Sequence, residues 1–488
     1  MSDVTPQGYN TPIPARIMTP DRVETRLGTL EFDDGRPSAA TVERVYDFAD
    51  LMRGVQVFLD CVPAASLEAM RAGLVEHGIE GCHQVLISEE LLDSTPLFLT
   101  GNTDTVYAAG LLDLDRDGPT VVEIPPNCGP GTVNDAWFRF VIDMGAPGPD
   151  RGQGGRYLIV PEDYDGDLPD GYFVARSPSS VNWLILRGFL VDGRPDAATE
   201  MFRRGLRIYP LSRRSAPPPM EFSSFSRLAI NTIHANDFAF YAEIARVIER
   251  EPLTLIDPET RGVLASIGIR KGRPFQPDDR TRTILEEAVR IGNATARATA
   301  MAPRNPEVAI YDDRQWQTGF VGDDYQWMGG DPANGIDHDA RTMFFYFATV
   351  NTPAMALKMV GAGSQYAIAF RDADGDYLDG ASTYRLTIPA GVPAKDFWSV
   401  VVYDPQTRSE LQTSQPFPSR NNQRDDLAVG ADGAVELFFG PAAPDGSPTS
   451  NWIQTVAGKG WFACLRLYGP LEAWFDKTWK PGDIERTS

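Results

Sequence analysis

Two sets of short apolar segments, about 260 to 280 residues apart, repeat in the same order along the chain. Tyr107-Ala, Leu112-Asp113, Asp117-Gly118 and Ile124-Pro125 are echoed by Tyr366-Ala, Arg371-Asp372, Asp374-Gly375 and Ile388-Pro389. Ala136-Trp-Phe-Arg-Phe-Val-Ile-Asp143 is echoed by Asp396-Phe-Trp-Ser-Val-Val-Val-Tyr403, and Trp183-Leu-Ile-Leu-Arg-Gly-Phe-Leu190 by Ala463-Cys-Leu-Arg-Leu-Tyr-Gly-Pro-Leu471. The offsets rise along the chain, as loop insertions in a duplicated unit would make them. Turn grammar shared by unrelated sheets explains part of such a pattern, so duplication is an expectation. It makes Arg187 and Arg466 equivalent, each on the last long strand of its unit.

With 488 residues the chain is too long for one compact core. Residues 1–40 are rich in Pro and Asp without periodicity and read as an arm. A helical lead-in covers 41–80, with Val45, Phe48, Leu51, Met52, Val55 and Phe58 at spacings of three and four. Pro63 is expected to end that helix, and Ser66 to start another. Short strands separated by Pro/Gly turns, residues 136–142 among them, define a β-domain at 81–194. Residues 195–304 return to helical periodicity, and strands resume in a second β-domain at 305–488. The expected fold is mixed α and β: two mainly antiparallel β-barrel or jelly-roll-like domains bridged by a helical segment.

The excess of 67 Asp+Glu over 45 Lys+Arg leaves a net charge of −22, which argues against nucleic-acid or anionic-membrane partners. No run reaches the ~18 apolar residues that would insert in a bilayer. The N-terminus has neither a basic nor an apolar signal region, so the expectation is a cytoplasmic protein, or a periplasmic one had the N-terminus been trimmed. The four cysteines are widely spaced and read as reduced. A homo-oligomer is left open.

Zinc, nucleophile-elbow, P-loop and Rossmann signatures are all missing, so no cofactor and no metal is expected. Only four histidines are available. His234 lies in an apolar stretch and reads as a core residue on a helix. In Gly335-Ile-Asp-His-Asp-Ala-Arg341, His338 sits between Asp337 and Asp339 near Arg341. That cluster suits an acid–base histidine or a divalent ion, but a salt-bridged loop entering a strand is the commoner explanation. Asp372-Ala-Asp-Gly-Asp376-Tyr-Leu-Asp379 departs from an EF-hand in its Gly position and reads more economically as a hairpin turn.

Gly101-Asn-Thr-Asp-Thr-Val-Tyr107 sets a polar row ahead of an apolar run. If it is extended, Asn102 and Asp104 share one face, and Thr103, Thr105 and Tyr107 the other. A carboxylate beside an amide can orient a ligand or act as a general base; the alternative is a turn capped by Asn102 and Asp104.

These words extend to a resemblance. Gly101–Leu114, Asp117–Pro126, Gly171–Ser177 and Leu264–Phe275 resemble the DUF1254 domain. Met359–Tyr366, Asp374–Gly380, Phe397–Ser399, Asn451–Trp461 and Tyr468–Trp479 resemble the DUF1214 domain. The resemblance implies two β-barrel or jelly-roll-like domains bridged by helices. It implies no catalytic residues.

The functional expectation is an enzyme without a nucleotide cofactor, performing hydrolysis or elimination on a small amphiphilic molecule held between or within the β-domains. Asp104 or His338 would act as base, with Tyr107, Asp337 and Arg341 completing the catalytic set. Asn102, Trp137, Arg187, Tyr346, Trp398, Tyr403 and Arg466 would bind substrate, with Phe138 and Trp461 among the lining aromatics. The alternative is a non-enzymatic β-barrel carrier of an amphiphile, and a structural or assembly protein is a third reading.

Overall fold

A computed structural model of the chain describes residue 8, residues 11–329 and residues 335–487. Residues 1–7 and 9–10 of the expected arm lie outside the described residues. The rest of that segment holds a small antiparallel meander: β1 (Arg22–Thr25), β2 (Gly28–Asp33) and β3 (Arg36–Pro37).

The lead-in is one helix, α1 (Ala39–Glu76), started by the Ser38 hydroxyl, which accepts a hydrogen bond from the Thr41 amide. Pro63 does not end it, contrary to expectation. A mid-helix proline forfeits a backbone bond at a cost of about 3 kcal/mol. Here burial offsets that cost, because every residue from Cys61 to Met70 is buried. Gly54 lets α1 approach a later helix closely: a Cβ there would stand 2.6 Å from the Ala288 Cβ.

The first β-unit runs through β4 (Gln84–Ile87), β5 (Thr105–Asp113), the short α2 (Leu114–Asp117), β6 (Thr120–Ile124), β7 (Pro130–Asn134), β8 (Phe140–Gly145), β9 (Gly155–Pro161), β10 (Phe173–Ser177) and β11 (Val181–Phe189). It closes with α3 (Asp196–Gly205), β12 (Arg207–Pro210) and β13 (Glu221–Ser224). One sheet has the order β13-β4-β5-β11-β7-β8 and the other β10-β9-β6-β12. Val85, Val106 and Leu184 of the first meet Val122, Tyr157 and Ile208 of the second in one core.

Two expectations are corrected here. Residues 136–142 are not one strand: the Asp135 carboxylate accepts from the Trp137 and Arg139 amides and folds a turn between β7 and β8. The segment after 194 is not wholly helical, because β12 and β13 finish the two sheets. Strands of four residues carry too little periodicity to be read, and their partners β6 and β4 are remote in sequence.

Helices α4 (Ala239–Arg250), α5 (Pro258–Ser266) and α6 (Asp279–Met301) follow. After them come a two-stranded ribbon of β14 (Met328–Gly329) and β15 (Gly335–Ile336), then α7 (His338–Phe347) and the short α8 (Pro353–Ala356). The second β-unit comprises β16 (Ser364–Ala369), β17 (Tyr384–Ile388), β18 (Ala394–Tyr403), β19 (Ser419–Asn421), β20 (Val435–Gly440), β21 (Trp452–Gln454), β22 (Phe462–Pro470), the short α9 (Glu472–Phe475) and β23 (Ile484–Arg486).

Its sheets have the orders β16-β22-β18-β19 and β21-β20-β17-β23. The first reproduces β5-β11-β7-β8, antiparallel throughout. The second reproduces β10-β9-β6-β12, including one parallel pair at the same edge. The units therefore repeat the same strand plan. Neither forms a closed barrel among the described residues; each is a pair of open sheets packed face to face.

The remaining faces of the β13-β4-β5-β11-β7-β8 and β16-β22-β18-β19 sheets share a third core with the helices. Tyr107, Trp183 and Ile185 of one unit and Val401, Tyr403 and Phe462 of the other enter it, together with residues of α1, α4, α6 and α7. Inside this layer the fully buried Glu68 of α1 is gripped by Arg71 at 2.9 Å, Arg246 at 2.8 Å and Arg250 at 2.9 Å, the latter two from α4. Burial pushes the Glu68 carboxyl up, but the three guanidiniums win and hold it down at about 2. Glu68→Gln is expected to lower the unfolding free energy by about 3 kcal/mol in urea titrations, since it strands charge prepared for a carboxylate.

Candidate functional site

Asn102, Thr103 and Asp104 form a turn rather than an extended row, and β5 starts only at Thr105. The Asn102 side-chain oxygen accepts from the Asp104 amide at 2.9 Å, the Thr105 amide at 3.1 Å and the Thr105 hydroxyl at 3.1 Å. Its Nδ2 donates to the Tyr107 hydroxyl oxygen at 2.5 Å. Gly101 packs closely beside it: a Cβ there would stand 2.4 Å from Leu92 Cδ2, and that buried leucine would have to shift.

This turn is plugged into the second β-unit. Asp104, wholly buried, accepts from the Ser399 hydroxyl at 2.5 Å, Asn421 Nδ2 at 3.1 Å and, more weakly, the Tyr468 hydroxyl at 3.4 Å. Arg424 Nη1 donates to the Thr103 carbonyl at 2.9 Å. Arg466 Nη2 donates to the Thr100 carbonyl at 2.7 Å and the Tyr403 hydroxyl at 2.6 Å, and Tyr403 donates to the Gly101 carbonyl at 2.6 Å. Thr100 and Arg408 both have positive φ (39° and 64°), and the Thr100 amide bonds the Arg408 carbonyl. Strained, non-glycine backbone on both sides of this contact is held by the packing of one unit on the other.

Directly beside the plug, the strand plan brings two equivalent cations together. Arg187 of β11 lies opposite Tyr107 of β5, and Arg466 of β22 lies opposite Tyr366 of β16. Each guanidinium rests against its own tyrosine, 5.7 Å and 5.4 Å from the ring centres. Both arginines line one cavity between the units, with about 70 Å3 open to the centre of a water-sized sphere. One water needs roughly 10–15 Å3 by that measure, so several would fit. Phe98, Phe344, Phe347 and Phe462 make the apolar wall, while Thr100 and Thr349 add polar groups.

Arg466 is committed to the turn, though its Nε has no partner. The Arg187 guanidinium, on a residue only 8% exposed, makes no hydrogen bond or ion pair among the described residues. Arg187 also borders a smaller space that includes Asp143, whose carboxylate accepts from the Thr352 hydroxyl at 2.6 Å. Burial pushes the Asp143 carboxyl up to about 6, opposed by the Thr352 and Thr132 hydroxyls and by Arg187. Burial likewise raises the Tyr107 phenol and keeps it neutral.

The other expected residues lie elsewhere. Asp337 is the N-cap of α7 and accepts from the Ala340 amide; His338 begins that helix instead of a loop entering a strand. His338 Nδ1 and Arg341 Nη2 both reach Asp60 of α1, at 3.3 and 2.5 Å, on the outer side of the helical layer. Tyr346 is on α7, not a strand, and bonds Asn293. Trp137 and Phe138 project from the turn after β7, and Trp137 donates to the Asp60 carbonyl at 3.3 Å. Trp398 and Trp461 pack into the core within the second unit and do not reach the cavity. Tyr403 is adjacent to it as a partner of Arg466. His234 is buried, as expected, but precedes α4 rather than lying within it.

Sequence reading assigned no role to Asp143, although it closes the repeated segment 136–143, nor to Thr352, which sits outside any motif. It also missed Glu410, a fully buried carboxyl whose two oxygens have no hydrogen-bond partner and which burial, then repulsion from Asp104, hold far above the ordinary range. Among the described residues, no group of three or more His, Cys, Asp or Glu is placed to hold a metal. The Asp372 carboxylate accepts from the Asp374 and Asp376 amides, so the segment is a capped turn closed by the Arg371–Tyr377 bridge, but β16 and β17 on either side lie in different sheets and form no hairpin with each other. All four cysteines are buried and unpaired.

The plug and the cavity join the segments that carry two family signatures: residues 83–210 match the protein of unknown function DUF1254, and residues 363–472 the protein of unknown function DUF1214. The chain is a DUF1254/DUF1214 domain-containing protein. Its fold is similar to that of the VPA0106 protein from Vibrio parahaemolyticus, with a TM-score of 0.54 at 17% identity over 90% of this chain and 99% of that one. A second solved structure, an uncharacterized protein from Burkholderia cenocepacia, matches at 13% identity and a TM-score of 0.39 over 92% and 98% of the two chains. No curated protein matches the chain. No helix among the described residues is long and apolar enough to cross a membrane.

Within this family member, Asp104 holds the two units together. Asp104→Ala leaves Ser399 and Asn421 facing a void and is expected to cost about 2–4 kcal/mol, read as a lower urea midpoint. An unchanged midpoint would remove Asp104 from that role.

Proposed function

We propose that this protein binds a compact organic anion, a small carboxylate with a short apolar portion, in the cavity between its two jelly-roll-like β-units. The observation that carries this reading is Arg187. A guanidinium on an apolar sheet face costs stability unless it is paired or used, and that of Arg187 makes no hydrogen bond or ion pair among the described residues, only the contact with the Tyr107 ring. Its fork suits bidentate capture of a carboxylate. Arg466 adds positive potential from the equivalent position, and the phenylalanine wall accommodates the apolar portion.

Binding is favoured over Asp104-based catalysis because the Asp104 carboxylate is occupied by Ser399, Asn421 and Tyr468 and does not line the cavity. In calorimetric titrations with acetate and pyruvate, Arg187→Met is expected to weaken binding at least about tenfold. Equal affinities for the variant and the parent would refute the assignment.

A second reading, acid–base turnover of the bound anion, is favoured by one feature. Asp143 borders Arg187 and has its carboxyl raised to about 6, poised to exchange a proton near neutrality. The raised value has a stability consequence. The folded protein holds this proton more tightly than the unfolded chain, so Asp143 makes stability fall as pH rises from about 4 to 6. Asp143→Asn should flatten that part of a pH series of urea midpoints. An unaltered slope would show that Asp143 ionises normally, and the acid–base reading would lose its support.

A further inference from the structure

A second cavity lies in the helical layer, away from the two arginines. It has about 350 Å3 open to the centre of a water-sized sphere, five times the space between the β-units and within the range of ligand sites. Its walls come from the end of α4, the chain leading to α5, α5 itself and the loop that follows. Ile248, Leu255, Ile256, Leu264 and Ile269 make it apolar, and Trp137 closes one side.

The charges around it are not distributed like those of the chain. Three cations, Arg261, Arg270 and Lys271, against one carboxylate, Glu251, border the cavity in a protein of net charge −22. Two have structural employment. Lys271 donates to the carbonyls of Glu249 and Glu251 at 2.8 Å each, satisfying the end of α4, and Arg270 donates to the Ala265 carbonyl near the end of α5. Arg261, half-buried on α5, makes no side-chain hydrogen bond or ion pair among the described residues.

The carboxylates nearby are turned to backbone donors. Glu251 accepts from the Ser180 amide at 2.6 Å and the Val181 amide at 3.2 Å, and Glu249 from the Gly272 amide at 2.7 Å. An apolar hollow thus opens beside a guanidinium that makes no ion pair among the described residues, while Glu251 on the same wall is held by backbone amides.

We infer that this cavity is a binding site for an amphiphilic organic anion of medium chain length, with its tail among Leu255, Leu264, Ile269 and Trp137 and its acidic head at Arg261. The tail supplies affinity through apolar burial, and the head is selected by charge. The site is independent of the cavity between the β-units: it takes a longer tail and shares no lining residue with it.

The test uses the full chain and decanoate as probe, with decanol as its uncharged counterpart, in calorimetric titrations. Decanoate is expected to bind more tightly than decanol. Arg261→Glu, at a half-buried position of α5, should weaken decanoate at least about fivefold and leave decanol unchanged. Leu264→Trp, which fills the hollow, should abolish binding of both, with circular dichroism reporting whether the variant folds. Arg187→Met should leave decanoate affinity as it is. The inference is overturned if the parent protein does not bind decanoate, if Arg261→Glu binds it equally well, or if Arg187→Met removes binding, which would move the ligand to the cavity between the units.

Discussion

The insertion of the Thr100–Asp104 turn into the second β-unit is the contact on which the rest depends. A buried carboxylate is costly unless its oxygens are satisfied, and Asp104 finds its donors on β18, β19 and β22 of the other unit. The backbone carbonyls of Thr100 and Gly101 are taken up by Arg466 and Tyr403. Polar groups that neither unit could bury alone are satisfied only when both are assembled. This fixes how the sheets that carry β5 and β22 face each other, and hence where a cavity remains between them.

The repeated strand plan explains why that cavity is lined by two arginines, and the plug explains why they differ. Arg187 and Arg466 occupy matching registers, each opposite a tyrosine. The turn enters from the first unit only, so Arg466 is consumed in holding it, whereas Arg187 has no such duty. The same asymmetry accounts for the polar row before Tyr107 having no counterpart before Tyr366, where the chain reads Gly361-Ala-Gly-Ser-Gln. A duplicated scaffold with one inserted turn yields one occupied cation and one available one.

Much of the fold was legible in local pattern. The alternation of helical and stranded regions, the equivalence of Arg187 with Arg466 and the family signatures all lie in contiguous words. What failed did so for non-local reasons. Pro63 sits inside α1 because packing from all sides outweighs a lost backbone bond, and β12 and β13 are strands because remote neighbours recruit them. The expected site was half legible: Tyr107, Arg187, Tyr403 and Arg466 gather, while His338 and Arg341 pair with Asp60 elsewhere. Asp143 and Glu410 gave no signal, because burial alone makes a single carboxyl unusual, and burial is not written in a spacing.

By itself the sequence determined the periodicities, the order of the repeated segments and the acidic balance, since each depends only on residues near one another or on simple counts. The tertiary structure decided which polar groups are spent and which remain available. Asp104 reads as a catalytic candidate along the chain and becomes a structural peg once Ser399 and Asn421, some 300 residues away, close on it. Arg187 reads as the equal of Arg466 along the chain, and only folding buries it without a hydrogen bond or ion pair among the described residues while Arg466 is tied to the turn. Desolvation and hydrogen-bond satisfaction are properties of neighbourhoods in space, and only the folded chain defines them.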